Sequence, residues 1–227
     1  MPVFDAMNTT FGTAGTGGFG IKNTSLGGYS VTIQWIVTIF MMLFGVNFNA
    51  YYIMIFGSIK KALSMEEVRA YFGIILTAIV IITINIYSIC SGVWDAVTKS
   101  AFQVGSIITT TGFATTDFNI WPQTSKTILV LLMFVGACAG STGGGIKVSR
   151  ILILCKTVRK ELHIFLHPNA VKKIKMDGKA IPHEVVRSTN IFFIVYMLIF
   201  ASSIFLIAFD DFNPVSYTHL TLPTNSR

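Results

Sequence analysis

The chain has 227 residues, of which 52% are hydrophobic and only 12% charged, whereas about a quarter of the residues in an ordinary soluble domain carry charge. With a mean hydropathy of +0.67, this composition excludes a water-soluble globule. The net charge of +7 and a pI near 9.4 would point to nucleic acid in a soluble protein. Here the excess is local, because ten Lys/Arg between Lys147 and Arg187 face only Glu161, Asp177 and Glu184. It reads as a positive-inside anchor beside membrane spans, with no nucleic-acid partner.

No signal peptide is expected at the start, since Met1 leads into polar, Gly-rich sequence. A short helix beginning near Phe4-Asp5-Ala6 precedes the glycine-rich run Thr13 to Gly20. Four charge-free runs follow: Asn23–Ile59 (37 residues), Ala70–Trp94 (25), Thr127–Ile146 (20) and Ser188–Phe209 (22). Each can cross a hydrocarbon layer that needs about 20 residues. A fifth run, Ser100–Thr116, has 17 residues rich in Ser, Thr and Gly, so it must bend back or sit inside protein. Asp95 is the expected N-cap of a short helix over about Ala96 to Ile107. In the third long run, Gly136 to Gly145 holds five glycines with Ser141 and Thr142, and helical character resumes at Ile146. Three consecutive glycines, each costing a helix about 1 kcal/mol relative to Ala, should unwind the span there. Cys90, Cys138 and Cys155 lie in or beside apolar runs without a metal spacing, which implies neither a disulfide framework nor a metal site.

The chain also repeats itself. Phe4-Asp5-Ala6 leads to Gly18-Phe19, and Trp94-Asp95-Ala96 leads to Gly112-Phe113, with the Gly-Phe pairs 94 residues apart and the Asp-to-Gly spacing four residues longer in the second unit. Each unit reads helix, re-entrant hairpin, helix. With the basic segment 147–187 in the cytoplasm, Lys60, Lys61 and Arg69 also fall inside, and both hairpins enter from the outer face. A helix C-terminus aimed into the membrane brings about half a negative charge, and Gly112 permits the positive φ that turns successive carbonyls toward one axis. Such carbonyls can replace the hydration shell of a cation.

Three stretches, TTTGFATTDF, TAGTGGFG and GACAGSTGGGIKVSR, together resemble the membrane subunit of the Trk/Ktr/HKT superfamily of potassium transporters, nearer its Trk-type branch. The resemblance covers Phe4 to about Asp211. It implies an all-α polytopic membrane protein built from helix, pore loop, helix units of a K⁺-channel-like pore, four units in one chain each giving a quarter of the filter. It implies ion-binding strands at Thr16, Gly17, Gly18 and Phe19 and at Thr110, Thr111, Gly112 and Phe113. An intramembrane gating loop would comprise Gly140, Ser141, Thr142, Gly143, Gly144, Gly145 and Lys147. It further implies K⁺ as the transported ion and no cofactor. The parent protein would be a homodimer in the inner (plasma) membrane, multi-pass with its basic loops cytoplasmic and in contact with lipid, and would work with a cytosolic nucleotide-binding regulatory subunit docked on the basic loop. The corresponding division is 1–57 for the pore loop and inner helix of one unit, 58–69 for a cytoplasmic linker, 70–160 for a complete unit, 161–187 for the basic loop and 188–211 for the first helix of the next. Residues 215–227 lack apolar period and are read as a non-native tail on a fragment, and Met1 as a doubtful natural start. With two of four filter strands, such a chain is not expected to conduct by itself.

The same residues admit other readings. Gly15-x-Gly17-x-x-Gly20 matches a dinucleotide fingerprint but precedes a span rather than a βαβ unit, and Gly145 is followed by Ile146, not by a P-loop lysine. The glycines of 140–145 could serve close helix packing, and Lys147 could snorkel or face the pore. His163, His167 and His183 are expected to be solvated. Asp5, Asp95 and Asp117 are expected to act as caps or vestibule charge, and Phe40, Met41, Met42 and Phe44 to face lipid or core. Two rival functions are a broken-helix secondary carrier for Na⁺ or another cation and an intramembrane hydrolase using Ser141 near His163 or His167. The hydrolase lacks an acid partner and carries Ala139 where the nucleophile motif wants Gly.

Overall fold

The computed structural model describes residues 1–167 and 173–208, so the stretch 215–227 lies outside it. In chain order the helices are α1 (Val3–Ala14), α2 (Val31–Phe44), α3 (Phe48–Phe56), α4 (Ile59–Leu63), α5 (Glu66–Ile86), α6 (Val93–Ile108), α7 (Gln123–Val135) and α8 (Val148–Leu166). A two-stranded antiparallel ribbon of β1 (Lys175–Met176) and β2 (Lys179–Ala180) then leads into α9 (His183–Ala208). The fold is a helical membrane architecture. Its core lies along the inner stripe of α5, where Tyr71, Ile75, Ala78, Ile82 and Ile86 recur at helical spacing and are buried against α6, α7 and α8. A smaller cluster of Leu26, Val37, Met41, Phe102 and Phe113 joins the first unit to the second.

Among the described residues two helical stretches are long and apolar enough to cross a membrane unbroken, Glu66–Ile89 and His183–Ala208. The charge-free run Asn23–Ile59, long enough for one span, instead carries two helices, α2 and α3, bent by 89°. The bend has a local cause. The Asn47 side chain accepts from Asn49 N at 2.8 Å and so starts α3 afresh. Gly45 lets the Tyr71 hydroxyl pass where a Cβ would lie 2.2 Å from it, and that hydroxyl donates to Met42 O at 3.1 Å.

The span at 127–160 is interrupted as expected, between Val135 and Val148. Its freed backbone is satisfied within the break: Ile146 N donates to Phe134 O (3.1 Å), Lys147 N to Val135 O (3.1 Å) and Val148 N to Ala137 O (3.0 Å). These bonds take up carbonyls that the end of α7 leaves without helical partners, which a membrane interior demands.

Helix ends differ from the sequence expectation in two places. Helix α6 begins at Val93 rather than Ala96, with Gly92 as its cap. Asp95 therefore sits inside the first turn, where it accepts from Ser91 N (3.2 Å) and pairs with Lys99 (2.7 Å); a carboxylate there still complements the helix dipole. Asp117 does cap, accepting from Asn119 N at 2.9 Å. Helix α8 runs past residue 160 to Leu166.

The basic segment also contains order that composition hides. Asp177 (φ +50°) and Gly178 (φ +77°) form the turn between β1 and β2, both residues taking the left-handed conformation that a two-residue hairpin turn of the primed type requires. The Asp177 carboxylate then caps α5 by accepting from Glu66 N at 2.7 Å. Lys156 of α8 reaches both the Glu66 carboxylate and Lys175 O, tying ribbon, α5 and α8 together. Cys155 is exposed although it directly follows an apolar stretch; Cys138 is buried and Cys90 half-buried.

Candidate functional site

The two Gly-Phe loops share one backbone. Helix α1 passes into its loop with Gly15 N on Phe11 O (2.9 Å), Thr16 N on Thr13 O (3.3 Å) and Gly17 N on Gly12 O (2.8 Å). The loop after α6 repeats these bonds 94 residues later, with Thr109 N on Gly105 O (3.3 Å), Thr110 N on Ile107 O (3.0 Å) and Thr111 N on Ser106 O (2.9 Å). Left-handed φ values fall at the same places, Thr16 (+51°) and Gly18 (+68°) in one, Thr110 (+57°) and Gly112 (+88°) in the other. Because the hydrogen bonds and left-handed positions of the two turns correspond, the four-residue difference between the units lies in the helices, 12 residues in α1 and 16 in α6.

Glycine suits the third position, but the threonines at the first do not. A non-glycine residue in the left-handed region costs about 1–3 kcal/mol and persists only where its surroundings fix it. Each threonine is fixed identically: the hydroxyl of Thr16 donates to Gly15 O (2.8 Å), and that of Thr110 to Thr109 O (2.6 Å). The two loops also touch, since a Cβ on Gly18 would lie 1.8 Å from Thr111 O. At the fourth position the carbonyls turn back to the helices, Phe113 O accepting from Ser106 Oγ (2.5 Å) and Phe19 O from Asn8 Nδ2 (3.2 Å). The Phe113 ring is fully buried and packs on Gly12 of the first unit, whereas Phe19 is 63% exposed.

The glycine-rich loop lies against both Gly-Phe loops, so the structure brings together the two groups of residues that the sequence singled out. Thr16 Oγ1 also reaches Thr142 O (3.0 Å), and Gly144 N donates to Thr110 Oγ1 (2.6 Å). A Cβ on Gly143 would lie 2.9 Å from Thr109 O, and one on Gly136 would lie 2.4 Å from Gly144 O. The glycines therefore serve the loop's closure on itself and its approach to the neighbouring carbonyls, rather than helix-on-helix packing. Ser141 Oγ donates to Cys138 O (2.7 Å), and Gly140 O accepts from Phe48 N (3.0 Å) at the α2–α3 bend. Lys147, for which snorkelling and pore-facing positions were both open, folds its ammonium onto Gly143 O within the loop. His163 stands 15 residues along α8 from Val148, about 22 Å at the helical rise, so neither it nor His167 approaches Ser141 as a catalytic base would.

The sequence reading missed Glu67 and Asn47. Glu67 is 3% exposed at the start of α5. Its carboxylate accepts from Ala139 N (2.6 Å), Ser149 N (3.2 Å) and Asn47 Nδ2 (3.3 Å). A glutamate beside the charge-free run Ala70–Trp94 looks like an ordinary helix-start residue, and no local pattern distinguishes it from its neighbour Glu66.

The family described as TrkH, cation transport protein, matches residues 1–220. The chain belongs to the TrkH family. Its match runs past Asp211, where the resemblance read from the sequence ended. The Trk system potassium uptake protein TrkH of Salmonella typhimurium is 37% identical over 98% of this chain and 47% of that protein. The Trk system potassium uptake protein TrkG of Escherichia coli is 34% identical over 87% of this chain and 42% of that protein. The crystal structure of the potassium transporter TrkH from Vibrio parahaemolyticus superposes with a TM-score of 0.88 at 33% identity, covering 95% of this chain and 47% of the other. The chain spans about half the length of the TrkH relatives it matches. These relatives are named as uptake proteins and transporters, not as enzymes.

Proposed function

We propose that this chain forms part of a K⁺-selective pathway in which carbonyls of the two Gly-Phe loops coordinate the dehydrated ion and the loop at 140–147 gates it. The observation that carries the reading is the matching backbone pattern of Thr16-Gly17-Gly18 and Thr110-Thr111-Gly112, left-handed at the first and third residues in both. Repeated carbonyl strands around one axis are what replacing a hydration shell requires. The C-terminal ends of α1 and α6 add negative potential at the strands. The hydrogen-bonded carbonyls of Phe19 and Phe113 make those residues anchors, so the coordinating set is narrower than the four-residue strands. Packing of Phe113 on Gly12 gives the joint between neighbouring units, and the exposed Phe19 offers the same joint to a further unit.

The rest of the reading follows from the resemblance and the charge distribution. The protein lies in the inner membrane with the segment 147–187 cytoplasmic, works as a homodimer in its intact form, and docks a nucleotide-binding regulatory subunit on that basic face. A broken-helix carrier gains no support from the loops, whose matching turns suit a ring of strands better than a substrate held at half-helix ends. The test is deletion of Gly143 to Gly145 in the intact transporter, measured as rubidium uptake in cells lacking other K⁺ uptake. Basal flux should rise with K⁺ over Na⁺ preference kept; flux that falls together with selectivity would make the loop a structural element and refute the gate.

A further inference from the structure

We propose that Glu67, held by Asn47, is the positioning residue that latches the glycine-rich loop beneath the two Gly-Phe loops. The inference rests on the gating role of that loop. One carboxylate oxygen, Oε1, accepts from Ala139 N at 2.6 Å and from Ser149 N at 3.2 Å, the residues that flank the loop on either side. The other, Oε2, accepts from Asn47 Nδ2 at 3.3 Å, while Asn47 Oδ1 accepts from Asn49 N at 2.8 Å. A Cβ on Gly140 would lie 3.2 Å from that same Asn47 oxygen. A single buried side chain on α5 thus joins the entrance of the loop, its exit into α8 and the bend between α2 and α3.

The chemistry favours a latch over simple packing. A buried carboxylate is tolerated where donors or cations surround it. Here every partner is a donor on the loop's borders or on Asn47, and among the described residues the ion pairs are Lys99–Asp95, Lys156–Glu66 and Lys160–Glu161, none of which involves Glu67. Ser149 lies in the first turn of α8, so the carboxylate also meets the positive end of a helix dipole. The closed position of the loop therefore gains bonds that are lost if the loop moves away, and such a differential interaction is what biases a two-position element. Neither Glu67 nor Asn47 hydrogen-bonds to Thr16–Phe19 or Thr110–Phe113, so loosening the latch should change gating and leave ion choice alone.

The experiment uses the intact transporter reconstituted in lipid vesicles, with rubidium and sodium influx measured side by side. Glu67→Ala removes all three acceptor bonds and should raise basal rubidium influx by at least about tenfold, the factor that losing even one charge-assisted hydrogen bond from one state gives. Glu67→Gln keeps an acceptor for Ala139 and Ser149 but sets its NH₂ against that of Asn47, so a smaller rise is expected. Adding Asn47→Asp to Glu67→Gln restores the third bond with donor and acceptor exchanged and should return influx toward the parent value. The rubidium-to-sodium ratio should stay unchanged throughout. Unchanged influx in Glu67→Gln and Glu67→Ala, a rise accompanied by loss of the ratio, or no reversal in the double variant would overturn the proposal. Glu67→Gln is nearly isosteric and decides the matter if the alanine variant does not assemble. The Gly143–Gly145 deletion separates the two readings: if it raises influx while the Glu67 variants do not, the latch is wrong and the gate stands; if it does not, the gate falls and the latch with it.

Discussion

Replacing Gly18 by alanine in the intact transporter tests the filter at its tightest point. A Cβ at this position would sit 1.8 Å from Thr111 O and 2.9 Å from Thr111 C, whereas real Cβ contacts essentially never fall below 3.0 Å. The obstacle is backbone, so it cannot swing aside as a flexible side chain would. Clearing it needs a relative shift of at least 1.2 Å, the difference between 3.0 and 1.8 Å, between the two strands proposed to aim carbonyls at the ion. The left-handed φ of +68° adds a second penalty, about 1–2 kcal/mol for a residue carrying a Cβ. If even 1.4 kcal/mol of this strain falls on the K⁺-coordinated form, preference drops about tenfold, and the steric shift should make the loss larger. The assay is the ratio of rubidium to sodium uptake in cells lacking other K⁺ uptake, with membrane abundance measured in parallel. Gly73→Ala is the control, since a Cβ there meets nothing within 4 Å and α5 should tolerate or welcome it. A Gly18→Ala protein present at normal abundance with an unchanged ratio would refute the coordinating role of these loops.

Other consequences follow from the same contacts. Thr110→Val removes the acceptor for Gly144 N and leaves that N–H without its partner at a cost of about 1–3 kcal/mol; basal rubidium flux should rise, and a flux equal to the parent's would mean the loop does not lean on this residue. Asp177→Ala removes the cap on Glu66 N and should lower stability by about 1 kcal/mol, read as an earlier thermal unfolding transition in detergent; an unchanged transition would show that the ribbon does not grip α5. Cysteines placed at exposed Lys179 and Asn119 should be labelled by a membrane-impermeant reagent from the cytoplasmic and outer faces respectively, and labelling of both from one face would overturn the repeat-based topology.

The sequence by itself determined what depends on local composition and spacing. Charge-free length set which stretches belong in hydrocarbon, and five glycines within ten residues placed the break before Lys147. The 94-residue offset of the two Gly-Phe pairs announced a repeated unit, and the expectation of a positive φ at Gly112 agrees with its φ of +88°. Features decided between distant segments were not legible. The bend at Asn47 depends on loop residues 138–140 arriving to bond Gly45 O and Phe48 N, and apolar length alone made that stretch one span. Thr16 and Thr110 adopt positive φ because the preceding turns and the glycine loop hold them, against the preference of their own side chains. Glu67 shows the limit most plainly. Two adjacent glutamates at the start of α5 are equivalent by composition, yet helical rotation sends Glu66 toward Lys156 and the ribbon and buries Glu67 against Asn47 and two backbone donors more than 70 residues away in sequence. Local propensity chooses helix, turn or break; only the closing of the chain decides which buried polar group meets which partner, because that pairing is a tertiary contact with no sequence period of its own.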